Sequence, residues 1–203
     1  MARLVCMYGG TYPARSCLDP RTEAALNKYA AEVGLGVEWV DTTDNFQTYA
    51  DEMEKRWHGE EDLIIVEQDK EVHSLCLPSF LTCSGLWCAY TYWINPEPHT
   101  TLVLGGFGVT KFSAEIQRLV PVSAFRGETQ VSIDRRFNDY LMESHGIGCC
   151  LHGNVVHHHT YEPRPLKIRA YVNGLREQGI LPPAMNPPAL DPGLLPGSYR
   201  LGG

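Results

Sequence analysis

Long apolar runs are missing from these 203 residues. None approaches the roughly 18 residues that a membrane-crossing helix needs, so no span is expected. The opening MARLVCMYGG turns to glycine too early for the apolar stretch of a secretory signal. Positive charge is also short. The 17 Lys and Arg against 24 Asp and Glu give a net charge of -7, which argues against unaided capture of bulk nucleic acid and leaves room only for a local basic patch. No C-x2-C pair occurs among the seven cysteines, which are odd in number and scattered, so they read as reduced thiols of a cytoplasmic protein. Cys149-Cys150-x-His152, close to His157, His158 and His159, is the one stretch with zinc in reach, and its spacing departs from the usual paired ligands. No internal repeat is visible.

What is present is a soluble α/β pattern. Arg3–Tyr8 reads as a first strand, cut off by Gly9-Gly10 and Thr11, where backbone either approaches a ligand or simply turns. Pro20 opens a helix that Gly34 and Gly36 stop. Val37–Val40 is a second strand ending at Asp41, and Asp44 reads as the N-cap of a helix reaching about Trp57. Leu63-Ile64-Ile65-Val66 is a short, fully apolar run, as expected of a strand buried on both faces. This β-α-β-α-β order predicts three parallel strands. Further on, the pattern predicts a short apolar helix over 72–83 interrupted near Pro78, a strand over 86–93, a turn at 95–98 and a short strand over 101–104. It then predicts a helix from Lys111 to about Val120, a helix beginning at Asp134, and a last strand over 155–159. From Arg176 the chain holds six prolines and five glycines, so 1–175 is expected to be the domain and 176–203 a tail ordered only by docking.

The buried third strand runs straight into Glu67-Gln68-Asp69. On a strand, Glu67 and Asp69 point the same way, at the carboxyl end where open α/β sheets place their ligands. Two carboxylates on one side repel, and a divalent cation carrying phosphate ligands relieves that repulsion. Alternatively both acids are solvated loop residues.

With these residues in place, the chain resembles the GT-A glycosyltransferases, and more narrowly the small glycosyltransferase-like proteins of actinobacterial phages. The matching segments are IIVEQDKEVHSLCLPSF (64–80), CSGLWCAYTY (83–92), GGFGVTKFSAEI (105–116) and HGNVVHHHT (152–160), within a resemblance covering about 3–162. It implies a GT-A-like, Rossmann-like mixed sheet flanked by helices. It also implies transfer of a hexosyl or pentosyl group from a nucleoside-diphosphate sugar to an acceptor, with Mn2+ or Mg2+ on an acid-x-acid motif. The acid pair here is Glu-x-Asp rather than the commoner Asp-x-Asp. The acceptor would be a modified base of phage DNA, a virion protein or a small molecule, and the setting the host cytoplasm.

The resemblance assigns roles residue by residue. Asp69 is the direct metal ligand, and Glu67 makes a second contact to metal or ribose. Tyr8, Gly9, Gly10 and Thr11, together with Asp41, Gln68, Gly105 and Gly106, line the donor. A late histidine completes the metal shell. Alternation leaves His157 and His159 on one side and His158 on the other, with His159 favoured because it lies nearer the strand's carboxyl end. Asp134 is the candidate base and Asp139 the reserve, although a plain N-cap explains Asp134 equally well. Trp87 and Trp93 are either sugar-stacking or core. Two other readings stand beside this one. The first is a non-catalytic sugar-nucleotide-binding or assembly module of the same fold. The second is a zinc hydrolase built on Cys149, Cys150 and the histidines.

Overall fold

The computed structural model describes residues 2–8, 18–42, 46–93, 102–103, 105–121 and 133–158, all within one compact unit, Met1–Thr160. Gly9, Gly10, Thr11, the Asp44 cap, the 95–98 turn, His159 and the 176–203 tail lie outside the described residues.

The apolar run at 63–66 sets the architecture. It lies in β3 (Asp62–Glu67), which is flanked by β1 (Ala2–Tyr8) in parallel, and β1 in turn pairs in parallel with β2 (Val37–Asp41). The three parallel strands expected from the β-α-β-α-β order are therefore present. On its other side β3 pairs antiparallel with β7 (Val109–Phe112), which pairs with β5 (Trp87–Trp93). β6 (Leu102–Val103) and β8 (Cys150–Asn154) both pair with β5, giving a seven-stranded mixed sheet.

Strand alternation divides the core into two layers. Leu63 and Ile65 pack with Tyr49 and Met53 of α2 (Phe46–Arg56), Ile116 of α4 (Ala114–Leu119), and Phe137 and Leu141 of α5 (Ile133–His145). Ile64 and Val66 face the opposite layer, with Leu26 and Ala30 of α1 (Pro20–Glu32) and Leu77 and Phe80 of α3 (Cys76–Thr82). All four side chains of the run are at most 1% exposed, each contributing roughly 1.5–3 kcal/mol by burial. The mixed α/β sheet with helices on both faces is the expected fold class.

Several elements depart from the expected pattern, among them the last strand, which is β9 at Val156–His157 and is preceded by the unexpected β8. Lys111 does not begin a helix. It sits in β7 between β3 and β5, and only Ala114–Leu119 is helical, capped by the Ser113 hydroxyl on the Ile116 N–H. Pro78 does not interrupt its helix, because α3 begins at Cys76 and leaves the proline in the first turn, where its missing N–H is not needed. A separate two-stranded sheet, β4 (Lys70–Glu71) with β9 (Val156–His157), sits at the end of β3.

Candidate functional site

β3 ends at Glu67, and Gln68 and Asp69 form a turn into β4, so the two acids are not on one regular strand. Lys70 links them instead. Its Nζ contacts Asp69 Oδ1, lies 3.5 Å from Glu67 Oε2 and rests 4.4 Å over the Tyr92 ring. The turn is fixed from outside by α1. The Asp19 side chain caps that helix on Arg21 N–H at 2.8 Å, and the Asp19 N–H donates to the Gln68 carbonyl at 2.9 Å.

β4 and β9 are in register at Lys70 and His157, which carries a late histidine to the acids. His157 Nε2 lies 3.1 Å from Asp69 Oδ2, and His157 Nδ1 lies 2.9 Å from the Trp93 carbonyl oxygen. The carbonyl and carboxylate oxygens both only accept, so Nδ1 carries the hydrogen toward Trp93, and Nε2 meets Asp69 through either a second hydrogen or a shared cation. Two electron-rich atoms at that separation need a proton or a cation between them. Burial pushes Asp69 up, but His157 and Lys70 outweigh it and hold the carboxyl well below the usual carboxylate range. His158, on the other side, reaches Glu71 Oε2 at 2.6 Å.

The far wall of the site is the 105–108 loop and the start of α5. Asp134 stands in the first turn of α5 and accepts from Phe107 N–H at 3.1 Å. Burial and the nearby Glu67 charge raise its pKa to about 7, against the partial opposing effect of Phe107 N–H and Lys70. Two glycines make the approach possible. A Cβ on Gly108 would lie 2.5 Å from Tyr92 Cε1, and one on Gly106 would lie 2.9 Å from the Tyr92 hydroxyl.

The structure thus gathers Glu67, Asp69, Asp134, His157 and Gly106 with Gly108 of the same glycine-rich loop around two residues the sequence reading passed over, Lys70 and Tyr92. The close pair is Asp69 with His157. Among the described residues, Glu67, Asp69 and His157 do not form a group with every donor atom within 4.8 Å, and the Glu67 carboxylate turns to Lys70. The other expected residues have surroundings of their own. Tyr8 and Asp41 are register partners at the ends of β1 and β2, with Asp41 exposed. Gly105 is buried at a positive φ of 70°, packed against Cys149 and Trp87. Asp139 is exposed farther along α5. Gln68 contributes its carbonyl to the Asp19 anchor. Trp87 is core, while Trp93 supplies the carbonyl that orients His157. Of the residues a zinc hydrolase would need, Cys150 Sγ approaches His152 Nε2 at 4.0 Å, whereas Cys149 Sγ points to the Cys150 carbonyl oxygen at 3.7 Å and His157 is engaged at Asp69.

No family model and no curated protein matches the chain. Solved structures do. Glucosyl-3-phosphoglycerate synthase from Mycobacterium tuberculosis, in complex with Mn2+, uridine diphosphate and phosphoglyceric acid, superposes with a TM-score of 0.52 at 13% identity, over 89% of this chain and 79% of that one. A glycosyltransferase involved in glycosylation of the major capsid of PBCV-1 gives 0.46 at 12% identity, over 79% and 95%. A CMP:2-keto-3-deoxy-manno-octonic acid synthetase complexed with CTP gives 0.45 at 13% identity, over 88% and 99%. The first of these likenesses shows the fold, which is GT-A-like.

Proposed function

We propose that the chain is a metal-dependent glycosyltransferase that moves a sugar from a nucleoside-diphosphate sugar to an acceptor. The observation that carries this reading is the His157–Asp69 pair. An imidazole whose far N–H is held by a backbone carbonyl, with its Nε2 3.1 Å from a charged carboxylate oxygen, has the spacing and orientation that a metal-binding histidine and a neighbouring ligand would need. Two cis ligands at about 2.1 Å from an octahedral ion are about 3 Å apart, so the spacing fits Mn2+ or Mg2+. Both ions readily take remaining ligands from substrate phosphates and water, so two protein ligands suffice. When bound, such an ion neutralises charge on the departing diphosphate.

The chain's own residues supply the rest. Lys70 offers a second positive charge to the diphosphate, and exchange of its Asp69 contact for a phosphate oxygen keeps it paired. Tyr92 and the glycines at 106 and 108 let backbone approach the donor. Asp134, titrating near 7, accepts the acceptor's proton as the new acceptor–sugar bond forms and the sugar–phosphate bond breaks. The bonding electrons leave with the nucleoside diphosphate. The Mn2+–uridine diphosphate complex of the structural neighbour supports this donor chemistry. The segments resembling phage proteins favour a modified DNA base or a virion protein as acceptor.

Lys70 also favours a second reading, a module that binds nucleotide sugars without turnover, because its ammonium already satisfies both acids. One experiment separates the two. A panel of nucleoside-diphosphate sugars is screened by thermal shift with Mn2+, and each stabilising donor is then followed for hydrolysis. A Mn2+-dependent shift with slow release of nucleoside diphosphate is the expected result. A shift without release supports the binding module, and no shift with any donor contradicts both.

A further inference from the structure

Away from the candidate site, strand pairing assembles a second group of side chains that the proposed chemistry does not use. β5 and β8 run parallel with Cys88 opposite Cys150. Two residues on, His152 returns to the same side of β8 as Cys150, and Cys83, the C-cap of α3, closes over them from the adjoining loop. Cys83 Sγ lies 3.3 Å from Cys88 Sγ and 3.8 Å from Cys150 Sγ, and Cys150 Sγ lies 4.0 Å from His152 Nε2. All four donor atoms lie within 4.8 Å of one another, and no other such group of His, Cys, Asp or Glu occurs among the described residues.

We propose that Cys83, Cys88, Cys150 and His152 bind one zinc ion in a closed, structural Cys3His site. Tetrahedral zinc, with Zn–S of about 2.3 Å and Zn–N of about 2.0–2.1 Å, sets its donor atoms roughly 3.5–3.8 Å apart, close to the spacings already present. The surroundings are built for it. Gly85 N–H donates to Cys83 Sγ at 3.3 Å. A Cβ on Gly85 would lie 3.0 Å from Cys88 Sγ, 3.1 Å from Cys150 Cβ and 3.3 Å from Cys83 Sγ, so the loop folds around the sulfurs at a distance only glycine allows comfortably. The His152 ring is stacked on Tyr90 and meets Phe80 edge-on, which fixes its direction. Three thiolates and a neutral imidazole on Zn2+ leave one net negative charge. The buried Lys111, cross-strand from Cys88, holds its ammonium beside the group with Nζ 2.5 Å from the Cys83 carbonyl oxygen.

Four protein ligands leave no position for water, so the ion fastens rather than catalyses. What it fastens is the end of α3, the central strand β5 and strand β8, and β8 leads through Val155 into β9, which carries His157.

The test is metal analysis of the full chain purified without chelators. About one zinc per chain is expected, released by a mercurial reagent as thiols are consumed. Cys88→Ser and Cys150→Ser should each lose the zinc, and Cys149→Ser, whose sulfur points elsewhere, should keep it. Replacement of the ion by cobalt in the unaltered chain keeps the proposal falsifiable if the serine variants fail to fold. A tetrahedral site predicts intense visible bands with a sulfur-to-cobalt charge-transfer band. A protein that stays zinc-free after exposure to zinc, a cobalt spectrum without thiolate bands, or a Cys83–Cys88 disulfide in peptide mapping would each overturn it. None of these readouts depends on sugar transfer.

Discussion

A carboxylate as buried as Asp69 keeps its charge because each of its oxygens has a positive or protic neighbour, Lys70 on Oδ1 and His157 on Oδ2. Asp134, raised by burial and by the nearby Glu67 charge, has no such cation in hydrogen-bond range among the described residues and is pushed the other way, to about 7. Two acids in one site with opposite shifts are suited to different tasks, one to holding a cation and one to exchanging a proton. The pH dependence follows in sign. An acid whose folded-state pKa lies above its unfolded value contributes stability below the unfolded value, and that stability is lost as pH rises through the folded one, here from about 4 to about 7. Asp134→Asn should therefore raise the melting temperature relative to the unaltered chain by more at pH 8 than at pH 5, with roughly 2–4 °C for each kcal/mol relieved. Transfer by the unaltered chain should rise as pH increases through about 7, and the Asn variant should lose that rise. Equal melting differences at both pH values would show that Asp134 is not strained by its charge.

Among the elements, those written by local pattern were legible and those made by pairing were not. The apolar run at 63–66, the Pro20 helix start and the alternation of 37–40 each carry their own signal, and β1–α1–β2–α2–β3 follows from them. β7 does not: Val109-Thr110-Lys111-Phe112 leads into a good helix, and only pairing with β3 and β5 draws Lys111 into a strand. Likewise β4 is two charged residues and β8 is CLHGN, segments with little strand propensity whose form comes from their partners. The zinc group was hidden for the same reason. C-x4-C at 83–88 and C-x-H at 150–152 meet only through the β5–β8 register, so the sequence alone points to Cys150 and His152 within 149–152 but not to Cys83 and Cys88 as their partners. Lys70 was overlooked because a lysine beside an aspartate reads as an exposed loop, and its burial follows from β4–β9 pairing under Tyr92. The close seat of β7 on the site gives an element-scale prediction. Gly108→Ala would place a methyl 2.5 Å from Tyr92 Cε1 and 2.8 Å from Lys70 Cε, displacing both. A loss of about 1–3 kcal/mol in chemical denaturation is expected, together with weaker donor binding. Unchanged stability and binding would mean that the Tyr92–Lys70 contact yields freely.

At the scale of the molecule, two sheets and two candidate metal sites are connected through one stretch of chain. β8 lies against β5 beside the four-ligand group, and three residues later β9 pairs with β4 and delivers His157 to Asp69. The parallel half, β1 to β3, presents the acids, and the antiparallel half with α5 presents Asp134 across from them. The proposed donor position is therefore defined only when both halves of the sheet are in place, which is why no single motif in the sequence announces it.

Calorimetric titration of nucleoside diphosphates into the full chain, with Mn2+ and again with a chelator, tests the His157–Asp69 site most directly. At least one nucleoside diphosphate should bind with Mn2+ and not with the chelator. Asp69→Asn and His157→Ala should each weaken that binding by about tenfold to 100-fold or more, the range lost even when a group that only orients a metal ligand is removed. His158→Ala, which severs a contact to Glu71 on the other side, should bind as the unaltered chain does. Binding that survives the chelator undiminished, or that is the same in His157→Ala as in the unaltered chain, would contradict the account.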